Sequence, residues 1–215
     1  MLESELERSI KHLSSHYMDK KPIKGEYLEI LLRSPKTIFS TKDASLLWNE
    51  SNDSTITDRL KSYVKVGKLI RVRHGLYAKD KNYNRFELAT RINTPSYVSF
   101  ETVLGASGMT FQYYGNIFVA SYINREMEVD GQRITFTRMK DYVLSNTIGI
   151  ENGDGYARAT KERAFLDRIY INKSYYFDNL NPLDWDKVFE ILPIYNNKKM
   201  QKTVQKYYED FKNKK

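Results

Sequence analysis

The run from Ser40 to Ala78 constrains this chain more than any other stretch. It combines capping residues, helical periodicity, a glycine stop and a tight hairpin within a single segment. Asn52, Asp53 and Ser54 are all good N-cap residues, so a helix is expected to open there. Ile56, Leu60, Tyr63 and Val64 then recur at helical spacing and define one buried face. At about 100° per residue, Thr55, Asp58, Ser62 and Lys65 fall opposite that face, with Arg59 and Lys61 on its flanks. Gly67 is expected to stop the helix. Leu69-Ile70-Arg71-Val72 and Leu76-Tyr77-Ala78 read as two short strands joined through Arg73-His74-Gly75. A preceding helix, Lys42–Trp48, supplies Ala44, Leu47 and Trp48 for packing. Two helices followed by a β wing read as a winged helix-turn-helix, whose second helix enters the DNA major groove.

Charge supports that reading. Between Ser54 and Lys79 stand Arg59, Lys61, Lys65, Lys68, Arg71, Arg73 and Lys79 against Asp58 alone, a local net charge of +6. Lys61, Lys65, Lys68, Arg71 and Arg73 are expected to touch phosphates, with His74 at the wing tip, giving an affinity that falls steeply with salt. Thr55, Asp58, Arg59 and Ser62 are candidates for base edges, since each can donate to or accept from them in the major groove. Asp58 would repel phosphate, so it either accepts from a cytosine amine or orients Arg59. A single winged helix reads a short site, so a homodimer or paired monomers on a repeat is expected. The competing reading of the same segment is a protein-interaction module whose basic face only solubilises it.

The whole chain carries a formal charge of +8 over 215 residues, which favours a polyanionic partner. It contains no cysteine, which excludes disulfides, thiolate metal sites and a cysteine nucleophile and fits a reducing cytoplasm. No apolar run approaches the roughly 20 residues of a membrane helix, and Met1-Leu2-Glu3-Ser4-Glu5 lacks the apolar stretch of a signal peptide. A cytoplasmic protein with no membrane association is the expectation.

The fold class expected is α+β, an N-terminal winged helix-turn-helix followed by a mixed α/β domain. The domains are placed at 1–22 (a helical extension), 23–80 (the winged helix) and 81–215 (the α/β domain with a lysine-rich last helix). Leu2, Leu6, Ile10, Leu13 and Tyr17 mark an amphipathic first helix. His12 and His16 have a spacing that can hold a metal, but without a third ligand they read as surface histidines. Tyr27, Ile30, Leu31 and Leu32 belong to the next helix. Past a polar boundary at Asp80–Asn84, Arg85–Ile92 is expected to be helical, Tyr97-Val98-Ser99 extended, and Ser99 the cap of a helix from Phe100 to Ala106. Ile117–Tyr122 reads as a strand. Glu126–Val129 and Gln132–Thr137 pair around Asp130-Gly131, a dipeptide preferred by the type I′ hairpin turn. Asn152-Gly153-Asp154-Gly155 reads as a loop. Thr160 caps a helix over Lys161–Tyr170, Asn181–Asp184 starts another, and the last begins near Asn197 with Lys198, Lys199, Lys202 and Lys206 on its outer face.

Catalytic chemistry is sparse. The second half holds no histidine and no cysteine, and Ser99 and Ser107 have no histidine nearby to activate them. Glu126, Glu128 and Asp167 could serve a Mg²⁺-dependent nucleic-acid enzyme, but solvated surface or local salt bridges account for them better. No catalytic residue, metal or cofactor is expected.

Three segments together resemble a known family. They are the basic wing ending in Gly75-Leu76-Tyr77, the element Tyr97-Val98-Ser99-Phe100-Glu101-Thr102-Val103-Leu104 with Gly108, and the run from Ala159 to Tyr170, which fits an A-x-x-E-[KR]-A-h-h-D-h-h-Y pattern except at Arg168, which stands in a slot often apolar. They resemble the AbiEi antitoxins of bacterial abortive-infection, type IV toxin–antitoxin pairs. That resemblance implies an N-terminal winged helix binding inverted repeats in its own promoter, and a C-terminal domain needed for antitoxicity. It also implies a nucleotidyltransferase-like toxin as functional partner, with which the antitoxin need not form a stable complex. Within the matching segments Tyr97, Glu101, Lys161, Glu162 and Asp167 are the candidate antitoxin residues. Capping and packing are the alternative for Tyr97, Glu162 and Asp167. Related stand-alone regulators lack a paired toxin, and that alternative stays open.

Overall fold

The computed structural model describes residues 22–23, 25–112 and 114–213, and the chain divides into two compact α+β units at Tyr83/Asn84. The stripe from Leu2 to Tyr17, with His12 and His16, lies outside the described residues.

The first unit runs α1 (Glu26–Arg33), β1 (Ile38–Ser40), α2 (Thr41–Trp48), α3 (Asp53–Lys65), β2 (Ile70–Arg73) and β3 (Leu76–Ala78). Its helix boundaries follow from local chemistry. Ser40 and Asp43 form a reciprocal capping box at the start of α2. Asn49 turns left-handed to end it, and the Asn52 side chain accepts from the Thr55 amide to open α3. Gly67, at φ +71°, releases the chain from α3. The three strands form an antiparallel sheet in the order β1-β3-β2, with a bulge between Arg71 and Arg73. Strand β1 is the one element here that the sequence pattern does not announce, because three residues between Pro35 and a cap show no periodicity. Leu31, Phe39, Trp48, Ile56 and Leu60 are fully buried and define the core. The Trp48 indole donates to the Tyr27 carbonyl at 2.8 Å and meets the Tyr27 ring edge-on, so α1 and α2 are locked together by one side chain.

The second unit is built on a six-stranded mixed sheet. Its elements are α4 (Arg85–Ile92), β4 (Ser96–Val98), α5 (Glu101–Ala106), β5 (Ile117–Ser121), β6 (Arg125–Val129), β7 (Gln132–Arg138), α6 (Asp141–Leu144), β8 (Ile150–Gly153), β9 (Tyr156–Ala159), α7 (Lys161–Ile171), α8 (Trp185–Ile191), a 3₁₀ turn (Leu192–Tyr195) and α9 (Lys198–Asn213). The strand order is β6-β7-β5-β4-β9-β8, with β5–β7 and β4–β9 parallel and the other pairs antiparallel. Alternation along β5 assigns the two faces. Ile117 and Val119 pack with Ile134, Phe136 and Ala89 of α4, whereas Ala120 joins the larger core with Phe165, Leu166, Trp185, Val188, Met200 and Val204. The α4 helix thus covers one face, and α7, α8 and α9 build the core on the other.

Two expectations require correction. Asn152–Gly155 is not simply a loop: Asn152 and Gly153 end strand β8, and Asp154 at φ +49° and Gly155 at φ +85° form the turn of a second hairpin. Its arms lack alternating apolar residues, so nothing local marks them as strands; Ala159 is buried and β9 draws its partner from β4. Ser99 does not cap α5 either. The N-cap is Phe100 at φ +52° with no capping side chain, and the Ser99 hydroxyl turns into the core instead. The hairpin around Asp130-Gly131 and the helices at Arg85, Thr160 and Asp184 form where the sequence places them.

Gly149, at φ +74°, sits where a Cβ would come within 2.8 Å of Ile191 Cδ1 and 2.9 Å of Arg163 Cβ, whereas Gly131 at φ +71° faces open space. Gly149→Ala is therefore expected to cost about 2–4 kcal/mol through strain and overpacking. Gly131→Ala should cost only about 1 kcal/mol. Urea unfolding of the two variants measures the difference, and equal losses would mean that the Gly149 turn is not packed against α7.

Candidate functional site

The polar surface of the first unit lies on α3 and the hairpin that follows it. Asp58, Lys61, Ser62 and Lys65 stand at i, i+3, i+4 and i+7, which places them on one helical stripe, and all four are exposed. Thr55, three residues earlier, is half-buried. Lys68 and Arg71 are exposed, Arg73 is half-buried and His74 is exposed at the hairpin tip. Asp58 lies 3.7 Å from the Lys61 ammonium, a solvated pair that neutralises one cation of the stripe at little energetic gain.

Arg59, on the flank of the helix, turns toward the core. Its guanidinium carbon sits 3.5 Å from the Tyr27 ring centroid and 6.0 Å from that of Trp48, so the side chain folds back over the core instead of joining the outward stripe. Asp58 therefore pairs with Lys61, and the orienting role toward Arg59 does not arise. Lys79 is likewise committed: its ammonium donates to the carbonyls of Leu32 and Ser34 at the end of α1. Neither residue's placement is legible from charge counting, because long cationic side chains on the flank of an element can reach either way.

In the second unit the five candidate residues separate into three places. Tyr97 and Asp167 are brought together in the interior, 3% and 0% exposed. Asp167 Oδ2 accepts from Ser99 Oγ at 2.7 Å and Tyr97 Oη at 3.0 Å; Oδ1 accepts from Tyr195 Oη at 2.7 Å and Arg163 Nε at 3.3 Å. Arg163, also fully buried, places its remaining donors on Tyr97 Oη and the carbonyls of Val143, Asn146 and Ile148. Every N–H of that guanidinium has an acceptor. Glu162 lies elsewhere on α7 and accepts from the Asp184 amide at 3.2 Å, steadying the start of α8, with the Lys161 ammonium 3.9 Å away. Glu101 pairs with Arg168 at 3.1 Å.

Arg163 and Tyr195 are the members of this network that sequence reasoning missed. The i, i+4 spacing of Arg163 and Asp167 inside an apolar helical run is a signal in principle, since paired charges on a buried stripe must satisfy each other. Tyr195 carries no such signal, being 28 residues from Asp167. The network shifts its own titrations. Burial, then the charge of Asp167, pushes the Tyr97 and Tyr195 phenols well above their ordinary range, although Arg163 pulls the other way. Burial disfavours the Arg163 charge, but Asp167 and the two phenols outweigh it and hold the guanidinium more basic than usual.

The acids weighed for metal chemistry do not converge. Glu126 and Glu128 are exposed on the edge strand β6 while Asp167 is buried. Among the described residues no group of three or more His, Asp or Glu side chains could hold a metal ion. None of the described helices is long and apolar enough to cross a membrane. No protein-family model matches the chain. No curated protein matches it either.

Two outcomes follow from the Arg163–Asp167 pair. Arg163→Met and Asp167→Asn each leave an uncompensated buried group and should cost about 3–5 kcal/mol in urea unfolding. The double variant should be less damaging than the sum by about 1–3 kcal/mol, since the two residues act as a unit; strict additivity would mean that they do not. With pH, an unfolded phenol titrates near 10, and the folded Tyr97 and Tyr195 titrate higher. Their contribution is thus complete below about pH 10 and is lost as pH rises through the folded values. The urea midpoint should hold from pH 7 to 9 and fall by pH 11, and Tyr195→Phe should flatten that fall.

Proposed function

We propose that this chain is a DNA-binding regulator. In this reading the unit ending at Tyr83 is a winged helix-turn-helix, with α3 in the major groove and the β2–β3 hairpin against the backbone. The observation that carries it is the exposed stripe of α3 continuing into a hairpin whose Arg71 and His74 also face solvent. Lys65, Lys68 and Arg71 would reach phosphates, joined by Lys61 once DNA displaces its solvated pair with Asp58, with Arg73 beside them. Thr55 and Ser62 offer hydroxyls to base edges, and Asp58 can accept from a cytosine amine. Arg59 drops out of this set because it supports the fold.

The target in this reading is an inverted repeat upstream of the protein's own gene, occupied by paired copies, since one such unit spans a short site. The antitoxin role rests on the resemblance of the wing, Tyr97–Leu104 and Ala159–Tyr170 segments to the AbiEi antitoxins. A nucleotidyltransferase-like toxin would be the functional partner, and a stable complex with it is not required. Tyr97 and Asp167 would then serve antitoxicity by holding the second unit together, while Lys161, with its partly exposed ammonium, is the candidate for direct contact.

A gel shift on the upstream DNA, titrated with salt, tests the reading. Binding should prefer the promoter over random sequence, with log affinity falling against log salt at about 0.9 per phosphate contacted. Lys61→Ala/Arg71→Ala should weaken binding to every sequence and reduce the salt slope by about 2. Thr55→Ala/Ser62→Ala should cost about 1–3 kcal/mol on the promoter alone. Binding without preference over random DNA would overturn autoregulation.

A further inference from the structure

The Ala159–Tyr170 motif ends in a residue that neither the buried network nor the DNA reading uses. Tyr170 lines an open cleft of about 590 Å³ together with Asn124, Arg138, Lys140, Asp141 and Tyr142. That volume suits a small organic ligand. Its lining is cationic on balance: Arg138 and Lys140 are exposed and have no carboxylate partner among the described residues, against one lining acid, Asp141. The Lys140 ammonium lies 5.8 Å from the Tyr142 ring centroid, which keeps it at the cleft. Tyr142 and Tyr170 add two aromatic rings to the lining.

Those rings are held by the buried network. Tyr195 donates its hydroxyl to Asp167, accepts the Tyr142 hydroxyl on its carbonyl at 3.2 Å and packs its ring against Tyr170 at 5.3 Å. Arg163 binds the carbonyl of Val143, the residue after Tyr142. Both rings are therefore placed before any ligand arrives, which lowers the ordering cost of binding. Asn124 uses its Oδ1 on the Arg138 amide at 2.7 Å, which turns the Nδ2 donors to other acceptors.

From this geometry we infer that the cleft binds a nucleoside monophosphate. Arg138 and Lys140 take the phosphate, Tyr142 and Tyr170 provide the surface against which the base stacks, and Asn124 donates to a base or ribose oxygen. The inference is independent of the DNA reading, since it uses only residues of the second unit.

The test is isothermal titration of the full chain with each of the four ribonucleoside 5′-monophosphates, with inorganic phosphate and with adenosine. At least one monophosphate should bind, and bind at least tenfold more tightly than phosphate or adenosine alone. Arg138→Gln/Lys140→Gln should weaken it tenfold or more, and Tyr142→Ala should do the same. Both sites are surface positions, and an unchanged unfolding midpoint shows that the fold survives. Lys61→Ala/Arg71→Ala should leave nucleotide binding unchanged, and the Arg138→Gln/Lys140→Gln variant should leave the promoter gel shift unchanged. No heat with any monophosphate would overturn the inference. So would phosphate binding as tightly as nucleotide, or nucleotide binding that survives Arg138→Gln/Lys140→Gln or is lost with Lys61→Ala/Arg71→Ala.

Discussion

Two opposite charges with no access to water organise the second unit. Arg163 and Asp167 are both fully buried, so each would be costly to desolvate alone, and each is tolerable only because every polar atom around it is paired. Asp167 collects donors from β4 through Tyr97, from the chain after it through Ser99, from its own helix through Arg163, and from the 3₁₀ turn through Tyr195. Arg163 adds the carbonyls of Val143, Asn146 and Ile148. One ion pair thereby fixes α7 against the middle of the sheet, against the turn before α9 and against the connection from α6 to β8. The left-handed backbone at Phe100 and the close approach of Gly149 to α7 are local deviations within that arrangement.

The first unit uses its cations differently. Arg59 lies over Tyr27, and Lys79 caps the last carbonyls of α1, so two of the seven cations in the basic segment belong to the fold. The remainder lie on α3, the linking turn and β2, where Lys61, Lys65, Lys68 and Arg71 are exposed and hydrated. Exposed cations of this kind contribute little to stability.

Much of this was legible in the residues, and the pattern of successes and failures has a physical basis. Helices α3 and α7 announce themselves through caps at Asn52 and Thr160, and α2, α4 and α9 through apolar spacing, because those signals lie within one or two turns. The Asp130-Gly131 hairpin is equally local. Strands β8 and β9 are not, since Ile150-Glu151-Asn152-Gly153 and Tyr156-Ala157-Arg158-Ala159 acquire strand character only by pairing with each other and with β4. Tyr97 and Asp167 stood out as notable residues, but their meeting with Tyr195 depends on chain closure over long separations that no window of sequence contains. Arg59 was misplaced for the opposite reason: its helix is right, but a flexible side chain on the flank chose the aromatic core over solvent.

The claim that recognition belongs to the exposed face of the first unit while the motif residues are architectural is tested most directly by lysine-reactivity footprinting. The full chain would be acylated with and without its upstream DNA and the modified lysines read by mass spectrometry. Lys61, Lys65 and Lys68 should react freely alone and become protected by DNA. Lys198, Lys199 and Lys202 should react alike in both states, and Lys79, tied to two carbonyls, should be slow in both. Protection centred on Lys198–Lys202, with Lys61, Lys65 and Lys68 unchanged, would contradict the account and move the nucleic-acid surface to the last helix.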